Sequence, residues 1–479
     1  MKSAAWVAVG NYANILISFV IFVVLARLLS PMEFGIVAVA TVFLDVLLLV
    51  ARGGLPDAIV QRHDLTEEYA DTAFWVSAGS GIVCCLILFG LSYPISLGFG
   101  MPELSPILKT LSIVFVLGGL TGIHEGRLQR SFGFRSLSIR GLIANLASGA
   151  IALWFAFNGY GVWSLVIQRI ATSLASMVIT WLSLRWVPRF HFDTKYAVEQ
   201  LKFGSMVFGT TLLLTLNNRI HELIAALFLS TTDVGYLRMG WRCIDLASQF
   251  SVIPLASVAL PTYSRLQHDR PKLENAYLHF IRISSTLTYP ALLGMGAIAP
   301  VLLPAVFGPQ WQGAAPTLQV LCLLAAPFVT NSFLWPLLVA LNKTNYGLAF
   351  TIFQFVVGCA MSFVAAPFGV LYIAVSHVVR AFAVWPIALW ITDKQCGIST
   401  RRTLLAVGMP LASAVLMALA ILVLQRFLPA DLPKVANLVI SITCGSLLYF
   451  VFTALLAPDI LKQTRTEIVT LIQRRRQSS

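Results

Sequence analysis

The chain has 479 residues, of which 58% are hydrophobic and only 11% are charged, and its mean hydropathy is +0.83. Soluble domains carry about 25% charged residues, so this composition excludes a soluble globular protein. The formal net charge of +13 would often indicate a nucleic-acid partner. Here the basic residues concentrate in short joints between apolar runs, so no nucleic acid is expected as a partner.

Apolar runs of helical length follow one another from residue 4 to residue 456. Backbone polar groups find no water inside a bilayer, so runs of about 20 residues are expected to cross it as helices. The sequence therefore predicts an all-α polytopic membrane protein with about fourteen transmembrane helices. The predicted spans are 4–28, 34–51, 73–95, 106–125, 138–157, 160–182, 204–228, 234–262, 277–305, 313–341, 346–366, 368–392, 403–425 and 436–456.

The joints between these spans contain ordinary turn and capping residues. Asn158-Gly159 and Pro367 predict tight hairpins after the fifth and eleventh spans. Asp64 and Glu67 have the spacing of a capping box ahead of the third span. In such a box the first side chain accepts from the backbone N–H of the second residue, and the second side chain accepts from the backbone N–H of the first. Capping is sufficient to account for this polar segment.

The distribution of basic residues sets the orientation. With the N-terminus in the cytoplasm, most of the 33 Lys and Arg residues fall on cytoplasmic segments, as the positive-inside rule requires. One missed span would invert every later joint and destroy this asymmetry. The sequence thus predicts a multi-pass protein of the bacterial inner membrane with both termini in the cytoplasm. The basic tail at 458–479 is expected to lie against anionic membrane lipids.

An internal repeat divides the chain. The segment LSPMEFG at 29–35 returns as LSTTDVG at 229–235, SPIL at 105–108 corresponds to APTL at 315–318, and GVW at 161–163 corresponds to GVL at 369–371. The repeat of about 200 residues contains six spans, so both copies start on the same side of the membrane. We expect an N-lobe at 1–200, a C-lobe at 201–400, two further transmembrane helices at 401–457 and the cytoplasmic tail at 458–479.

Ionisable residues inside predicted spans are the candidate functional residues, because a charge in the bilayer is costly and usually marks a pathway. Counted along each helix, the arginines converge on a layer about 13–18 Å from the outer helix ends. The candidates for binding substrate are Arg169, Arg219, Arg238, Arg242 and Arg380. The candidates for charge pairing or coupling are Asp45, His221, Glu222, Asp245 and His377.

The charge balance of this layer favours an anionic substrate. Five arginines face three carboxylates, so positive charge remains after every acid is paired, and the planar guanidinium suits phosphate. An alternative is that Arg219–Glu222 and Arg242–Asp245 are only intrahelical pairs, three residues apart. The two histidines could couple transport to protons or simply pack through hydrogen bonds.

No motif indicates an enzyme. The sequence has no Walker motif and no Gly-rich phosphate loop, no long external loop, and no metal-ligand cluster or nucleophile–base pair. We therefore expect a protein without catalytic residues, bound metal or cofactor.

Several segments resemble Wzx-type polysaccharide exporters, and the nearest branch exports exopolysaccharides such as colanic acid and succinoglycan. The matching segments are LARLLSPMEFG at 25–35, AIVQRHDLTEE at 58–68, TAFW at 72–75, LQRSF at 128–132, GYGVW at 159–163 and PTYSRLQ at 261–267. The resemblance covers essentially the whole chain. It implies the multidrug/oligosaccharidyl-lipid/polysaccharide exporter superfamily, with two six-helix lobes and alternating access.

The resemblance also implies the cargo, which is an oligosaccharide repeat unit on a polyprenyl diphosphate for exopolysaccharide or lipopolysaccharide synthesis. It raises a polysaccharide polymerase and glycosyltransferases as further partners. The alternatives are a multidrug or small-molecule antiporter of the same superfamily, a membrane polymerase or ligase, and a scaffold for glycosyltransferases. An antiporter of cations would favour a net acidic cavity, and a polymerase or ligase would favour a long external loop.

Overall fold

A computed structural model of the protein describes residues 2–62, 64–131, 134–184, 186–429 and 431–456. Within these ranges every regular element is a helix, which confirms the predicted all-α class. The predicted basic tail at 458–479 lies outside the described residues. The chain forms two compact units, Met1–Arg238 and Met239–Ser479, and the lobe boundaries predicted from the repeat stay a prediction.

The described residues of the first unit form nine helices and the start of a tenth. They are α1 (Lys2–Leu28), α2 (Pro31–Arg52), α3 (Leu55–Gln61), α4 (Glu67–Gly98), α5 (Leu104–Leu111), α6 (Ile113–Arg130), α7 (Phe134–Phe157), α8 (Trp163–Ser183), α9 (Thr194–Phe228) and α10 (Thr231–Ser251). In this unit α2 packs against α4, α6 and α9, while α7 packs against α1 and α8.

Where the second unit is described, it contains the end of α10, two short 3-10 helices and eight further α-helices. These are α11 (Ile253–Leu266), α12 (Arg270–Val306), α13 (Ala315–Cys322), α14 (Ala325–Ala340), α15 (Thr344–Ala365), α16 (Val370–Lys394), α17 (Thr400–Phe427) and α18 (Lys434–Leu456). The long helix α12 is the centre of the unit, since it packs against α11, α13, α14, α17 and α18.

Every predicted span falls on a helix or on a pair of successive helices. Among the described residues, ten helices are long and apolar enough to cross a membrane, and twelve if two bent pairs each count as one span. The helices α1 and α9 coincide with the two remaining predicted spans. The protein is therefore a multi-pass membrane protein, and the count of fourteen spans stays a prediction.

Two predicted spans are bent where the sequence suggested continuous helices. The α10–α11 pair bends by 51° and the α13–α14 pair by 61°. Pro254 is the second residue of α11, and it lacks the N–H group that would continue the hydrogen bonds of α10. At the other break Leu323 and Leu324 donate to carbonyls three residues earlier, which tightens the turn.

The internal repeat is visible in local structure. Ser30 accepts from the N–H of Glu33 at the start of α2, and Ser230 accepts from the N–H of Asp233 at the start of α10. The Pro106 and Pro316 segments both form helices of 8 residues, α5 and α13. Equivalent sequence therefore gives equivalent capping and equivalent short helices in the two copies.

Two predicted joints differ from the structure. The predicted Asp64–Glu67 capping box is wrong, because α4 begins at Glu67 and its cap is Thr66, which accepts from the N–H of Tyr69. Glu67 instead receives two hydrogen bonds of 2.7 and 2.8 Å from Arg127. The sixth span begins at Trp163 rather than at residue 160, because the joint extends beyond Asn158-Gly159.

The C-terminal end of α2 is held close to α9. Gly53 ends α2 in the left-handed region, with φ of 52°, and its carbonyl oxygen lies where a Cβ on Gly204 would be. Only a glycine in α9 allows this approach of two backbones. The same two helices carry Asp45 and Arg219, which are candidate charged residues.

Candidate functional site

Asp45 of α2 joins two of the predicted arginines. Its Oδ1 lies 3.4 Å from Nη2 of Arg169 on α8, and its Oδ2 lies 3.2 Å from Nη2 of Arg219 on α9. In the sequence, Arg169 is 124 residues from Asp45, and Arg219 is farther still. One carboxylate therefore connects three helices of the first unit.

Glu222 extends this connection to α10. Its Oε1 accepts from Nη1 of Arg219 at 3.3 Å and from Nη1 of Arg238 at 3.1 Å. The result is a continuous series of alternating charges, which we call the arginine chain and define as Arg169, Asp45, Arg219, Glu222 and Arg238. The predicted intrahelical Arg219–Glu222 pair is thus confirmed, and it is one link of a larger network.

The helix rise places this network well inside the membrane-spanning helices. Arg169 is six residues from the start of α8, or about 9 Å along its axis, and Arg219 is nine residues from the end of α9, or about 14 Å. Asp45 lies about 21 Å from the start of α2, which is at the same end of the unit as the start of α8. The packing of α2 against α9 places Asp45 within 3.2 Å of Arg219. The ion pairs therefore join these side chains, and their role in binding substrate stays a prediction.

The members differ in exposure along the chain. The Arg169 side chain is 45% exposed, those of Asp45, Arg219 and Arg238 are 22–24% exposed, and that of Glu222 is 1% exposed. Arg169, at one end of the network, is thus its most exposed member, and Glu222 is its most buried one.

Three guanidinium groups and two carboxylates give the arginine chain a net charge of about +1 at pH 7. Burial of Glu222 is costly unless its charge is compensated, and two guanidinium groups share its Oε1. Its Oε2 is buried and accepts no hydrogen bond from the described residues. Removing either arginine would leave a buried charge with weaker compensation.

The remaining predicted arginines lie in the second unit. Arg242 is half-buried and Asp245 is exposed, three residues apart on α10. Arg380 on α16 is buried, with 8% exposure. Its Nη1 donates to the carbonyl of Gln354 at 3.1 Å, and its Nη2 lies 2.9 Å from Nε2 of His377.

Two further observations bear on the predicted histidines. The His377 ring meets Trp241 edge to face, with 4.8 Å between ring centroids. Arg380, which contacts His377, packs against Gly358, where an added Cβ would lie 2.9 Å from the guanidinium of Arg380. His221 is 3% exposed and directly precedes Glu222 on α9. Roles for Arg242, Asp245, Arg380 and both histidines in binding or coupling stay predictions.

Sequence reasoning missed one cavity, which has a volume of about 580 Å³ and lies at one end of the first unit. It is an open cavity, lined by residues of the α1–α2, α4–α5 and α7–α8 joints and of the adjoining helix starts. Two of these joints belong to segments that repeat in the sequence. The repeat gives their positions along the chain but not their distances in space, so it could not predict a cavity between them. No group of three His, Cys, Asp or Glu side chains in the described part of the chain is placed to hold a metal ion.

The sequence matches the model of a family described as polysaccharide biosynthesis protein over residues 24–316, which is more than half of the chain. It is 24% identical over 464 residues to the succinoglycan biosynthesis transport protein ExoT of Rhizobium meliloti, covering 96% of this chain and 94% of the relative. It is also 24% identical over 361 residues to the lipopolysaccharide biosynthesis protein WzxC of Escherichia coli, covering 74% of this chain and 72% of that one.

Two solved structures have a similar fold. The lipid II flippase MurJ in an inward closed conformation superposes with a TM-score of 0.78 and 13% identity, covering 95% of this chain and 99% of the other. An inward-facing multidrug resistance transporter of the MATE family superposes with a TM-score of 0.63 and 16% identity, covering 81% and 94%. At these identities the likeness concerns the fold.

Proposed function

The chain belongs to the family of polysaccharide biosynthesis proteins, and we propose that it moves a polyprenyl-diphosphate-linked oligosaccharide repeat unit across the membrane by alternating access. The observation that carries this proposal is the arginine chain. It offers guanidinium groups in the middle of a multi-pass helical protein, where a charged lipid headgroup would otherwise meet hydrocarbon.

The diphosphate would bind by replacing carboxylates. Arg169 is half exposed and its contact with Asp45 is long, 3.4 Å. A phosphate oxygen can therefore replace Asp45 as the partner of this guanidinium with little loss of free energy. Arg219 can then turn one edge of its planar fork towards the ligand while it keeps Glu222. Bidentate hydrogen bonds between guanidinium and phosphate are stronger than neutral ones, which favours a diphosphate over an uncharged lipid.

Release would use the same carboxylates. Asp45 and Glu222 remain beside the arginines throughout, so they compete with the bound diphosphate for the guanidinium donors. A cavity of unpaired arginines would hold a doubly charged ligand too tightly for turnover. The acids thus set the affinity at a level that permits both binding and departure.

The distribution of basic residues supports an orientation with both termini in the cytoplasm of a bacterium, in the inner membrane. The repeat supports two six-helix lobes, residues 1–200 and 201–400, that move against each other during transport. The polyprenyl tail would stay in lipid while the headgroup and sugars cross. A polymerase that consumes the delivered unit and glycosyltransferases that build it are further partners in this proposal, in which the protein itself acts as a transporter.

The test measures lipid intermediates in cells that lack the gene. Polyprenyl-diphosphate oligosaccharide is extracted and quantified, and intact spheroplasts are treated with a glycosidase that cannot cross the membrane. We expect the intermediate to accumulate and to be protected from the enzyme, because the sugars remain on the cytoplasmic face.

Other results would contradict the proposal. Intermediate that accumulates but is accessible to the enzyme would place the protein after translocation, as a polymerase or ligase. Normal levels of the intermediate would indicate a small-molecule exporter instead. Restoring the gene on a plasmid is the control for effects on neighbouring genes.

A further inference from the structure

The cavity at the end of the first unit has a composition opposite to that of the arginine chain. Its polar and aromatic lining consists of Ser30, Glu33, Glu103, Tyr160 and Trp163. No Lys, Arg or His is among its lining residues. Two carboxylates without a cation repel phosphate, so the cavity is unsuited to the diphosphate.

The Glu33 carboxylate is fixed in place by the start of α2. Its Oε2 accepts from the Ser30 N–H at 2.6 Å and from the Ser30 hydroxyl at 2.9 Å. Its Oε1 faces Gly161, where a Cβ would collide with that oxygen. Gly161 has φ of 55°, so glycine satisfies both the backbone and the space. The carboxylate is therefore held rigidly between two walls of the cavity.

The Tyr160 ring is held by neighbouring aromatic side chains and remains 51% exposed. It stacks on Trp154, with an interplanar angle of 23°, and lies 5.0 Å from the centroid of Phe155. Trp163, the first residue of α8, adds a second large ring to the lining. Both rings therefore line the same cavity as the Glu33 and Glu103 carboxylates.

The same two helices carry both sites. On α2, Glu33 lines the cavity and Asp45 belongs to the arginine chain, about 18 Å apart along the helix. On α8, Trp163 lines the cavity and Arg169 belongs to the arginine chain, about 9 Å apart. These separations correspond to a short oligosaccharide. A molecule with a diphosphate at one end and sugars at the other could engage both sites.

We propose that this cavity binds an uncharged hexopyranose residue of the transported oligosaccharide. This rests on the proposed function and deepens it. Hydroxyl groups of the sugar donate to Glu33 and Glu103, since ionised carboxylates are acceptors only, and the C–H face of the ring packs on Tyr160 or Trp163. The volume lies within the range of about 300–1,000 Å³ that holds small ligands.

The experiment is saturation-transfer NMR on the full chain in lipid nanodiscs free of glycoside detergents. The probes are the methyl glycosides of glucose, galactose, mannose and N-acetylglucosamine, with methyl glucuronoside and tetramethylammonium as charged comparisons. We expect transfer to at least one neutral glycoside and none to the glucuronoside. Glu103→Gln and Tyr160→Ala should each weaken binding about tenfold, the effect of one lost charge-assisted hydrogen bond or one ring contact.

Arg219→Ala is the matched control, because it alters the arginine chain and should leave glycoside binding unchanged. Absence of transfer to all four neutral glycosides would overturn the proposal, as would transfer that persists in both cavity variants. Binding of tetramethylammonium alone would overturn it in favour of a site for cations. If glycosides fail to bind while null cells accumulate protected intermediate, the cavity proposal is wrong and the flippase proposal stands. If they bind while null cells accumulate none, the cavity is a sugar site but the flippase proposal is wrong, and with it the assignment of that sugar to a transported oligosaccharide.

Discussion

Gly35 on α2 and Gly235 on α10 occupy equivalent positions of the internal repeat, and each is pressed against the backbone of the other copy. A Cβ on Gly35 would collide with the carbonyl oxygen of Thr231, and a Cβ on Gly235 would collide with that of Pro31. Pro31 and Thr231 are themselves equivalent, being the first residues of α2 and α10. The two helix starts therefore cross reciprocally, at the shortest distance that the main chain allows.

This crossing gives the first prediction. Gly35→Ala should prevent the close approach, since the obstructing atoms are backbone atoms and cannot turn away. We expect the starts of α2 and α10 to separate, so that a cysteine introduced at Val234, which is 0% exposed, reacts faster with a membrane-impermeant thiol reagent in spheroplasts. The equivalent Gly235→Ala should act in the same way.

The control is Gly90→Ala on α4, where a Cβ would meet nothing within 4 Å. This substitution should leave the Val234→Cys reaction unchanged, and the helix itself gains about 0.5–1 kcal/mol from the alanine. Equal reactivity in the Gly35→Ala and Gly90→Ala proteins would show that the crossing does not close this end.

The second prediction concerns the centre of the arginine chain. Arg219→Ala removes the donor shared by Asp45 and Glu222. We expect export to fall by about tenfold or more, because each charge-assisted hydrogen bond contributes about 1.5–3 kcal/mol. Export is measured as polysaccharide released per cell at equal protein content of the membrane.

Arg402→Ala provides a matched comparison for this experiment. Arg402 is also paired with an acid, with 2.8 Å between its Nη1 and Oε2 of Glu274, but it lies in the first turn of α17 with 61% of its side chain exposed. Its loss should change export little, since exposed ion pairs contribute about 0–1 kcal/mol. Equal defects in both variants would indicate general destabilisation instead of a role in binding.

The third prediction uses the buried carboxylate. Glu222→Gln keeps the shape of the side chain and removes its charge, so Arg219 and Arg238 lose a competitor for anions. We expect inorganic pyrophosphate to bind more tightly and export to slow, because release becomes limiting. Calorimetric titration at two salt concentrations measures the affinity. Weaker pyrophosphate binding in the variant would contradict the competitive role of Glu222.

The fourth prediction tests orientation. A cysteine replacing Gly159, in the joint between α7 and α8, should be labelled by an impermeant thiol reagent added to intact spheroplasts. A cysteine replacing Lys394 at the end of α16 should be labelled only after the membrane is opened. The opposite pattern would place both termini outside and invert the proposed direction of transport.

Composition and periodicity were sufficient to predict the helical class, because a bilayer leaves a long apolar segment few alternatives. The bend at Pro254 was missed because proline is common inside transmembrane helices and often causes no break. The bend at Leu323 was missed because leucine gives no local signal of a break. The cap at Thr66 was missed for a different reason. Both Asp64 and Thr66 are residue types that cap helices, and only the observed start of α4 at Glu67 decides which of the two is the cap.

The candidate site was predictable in part. The Arg219–Glu222 pair follows from helical spacing alone, and the choice of membrane arginines as candidates follows from the cost of burying charge. The link from Asp45 to Arg169 spans 124 residues and depends on how α2, α8 and α9 pack. No local pattern contains that information. The crossing at Gly35 likewise could not be predicted without knowing how the helices pack, since a glycine near a helix start often contacts no second backbone.

The carboxylates of the arginine chain also have a consequence for the empty protein. After delivering its cargo, a carrier must return unloaded, and moving uncompensated guanidinium groups through a low-dielectric interior would cost several kcal/mol for each ion. In the proposed cycle Asp45 and Glu222 would take the place of the departed anion, so the return stroke would need no second lipid as a counter-ligand. Such a cycle would permit net transport of lipid and would not require the exchange of one lipid for another.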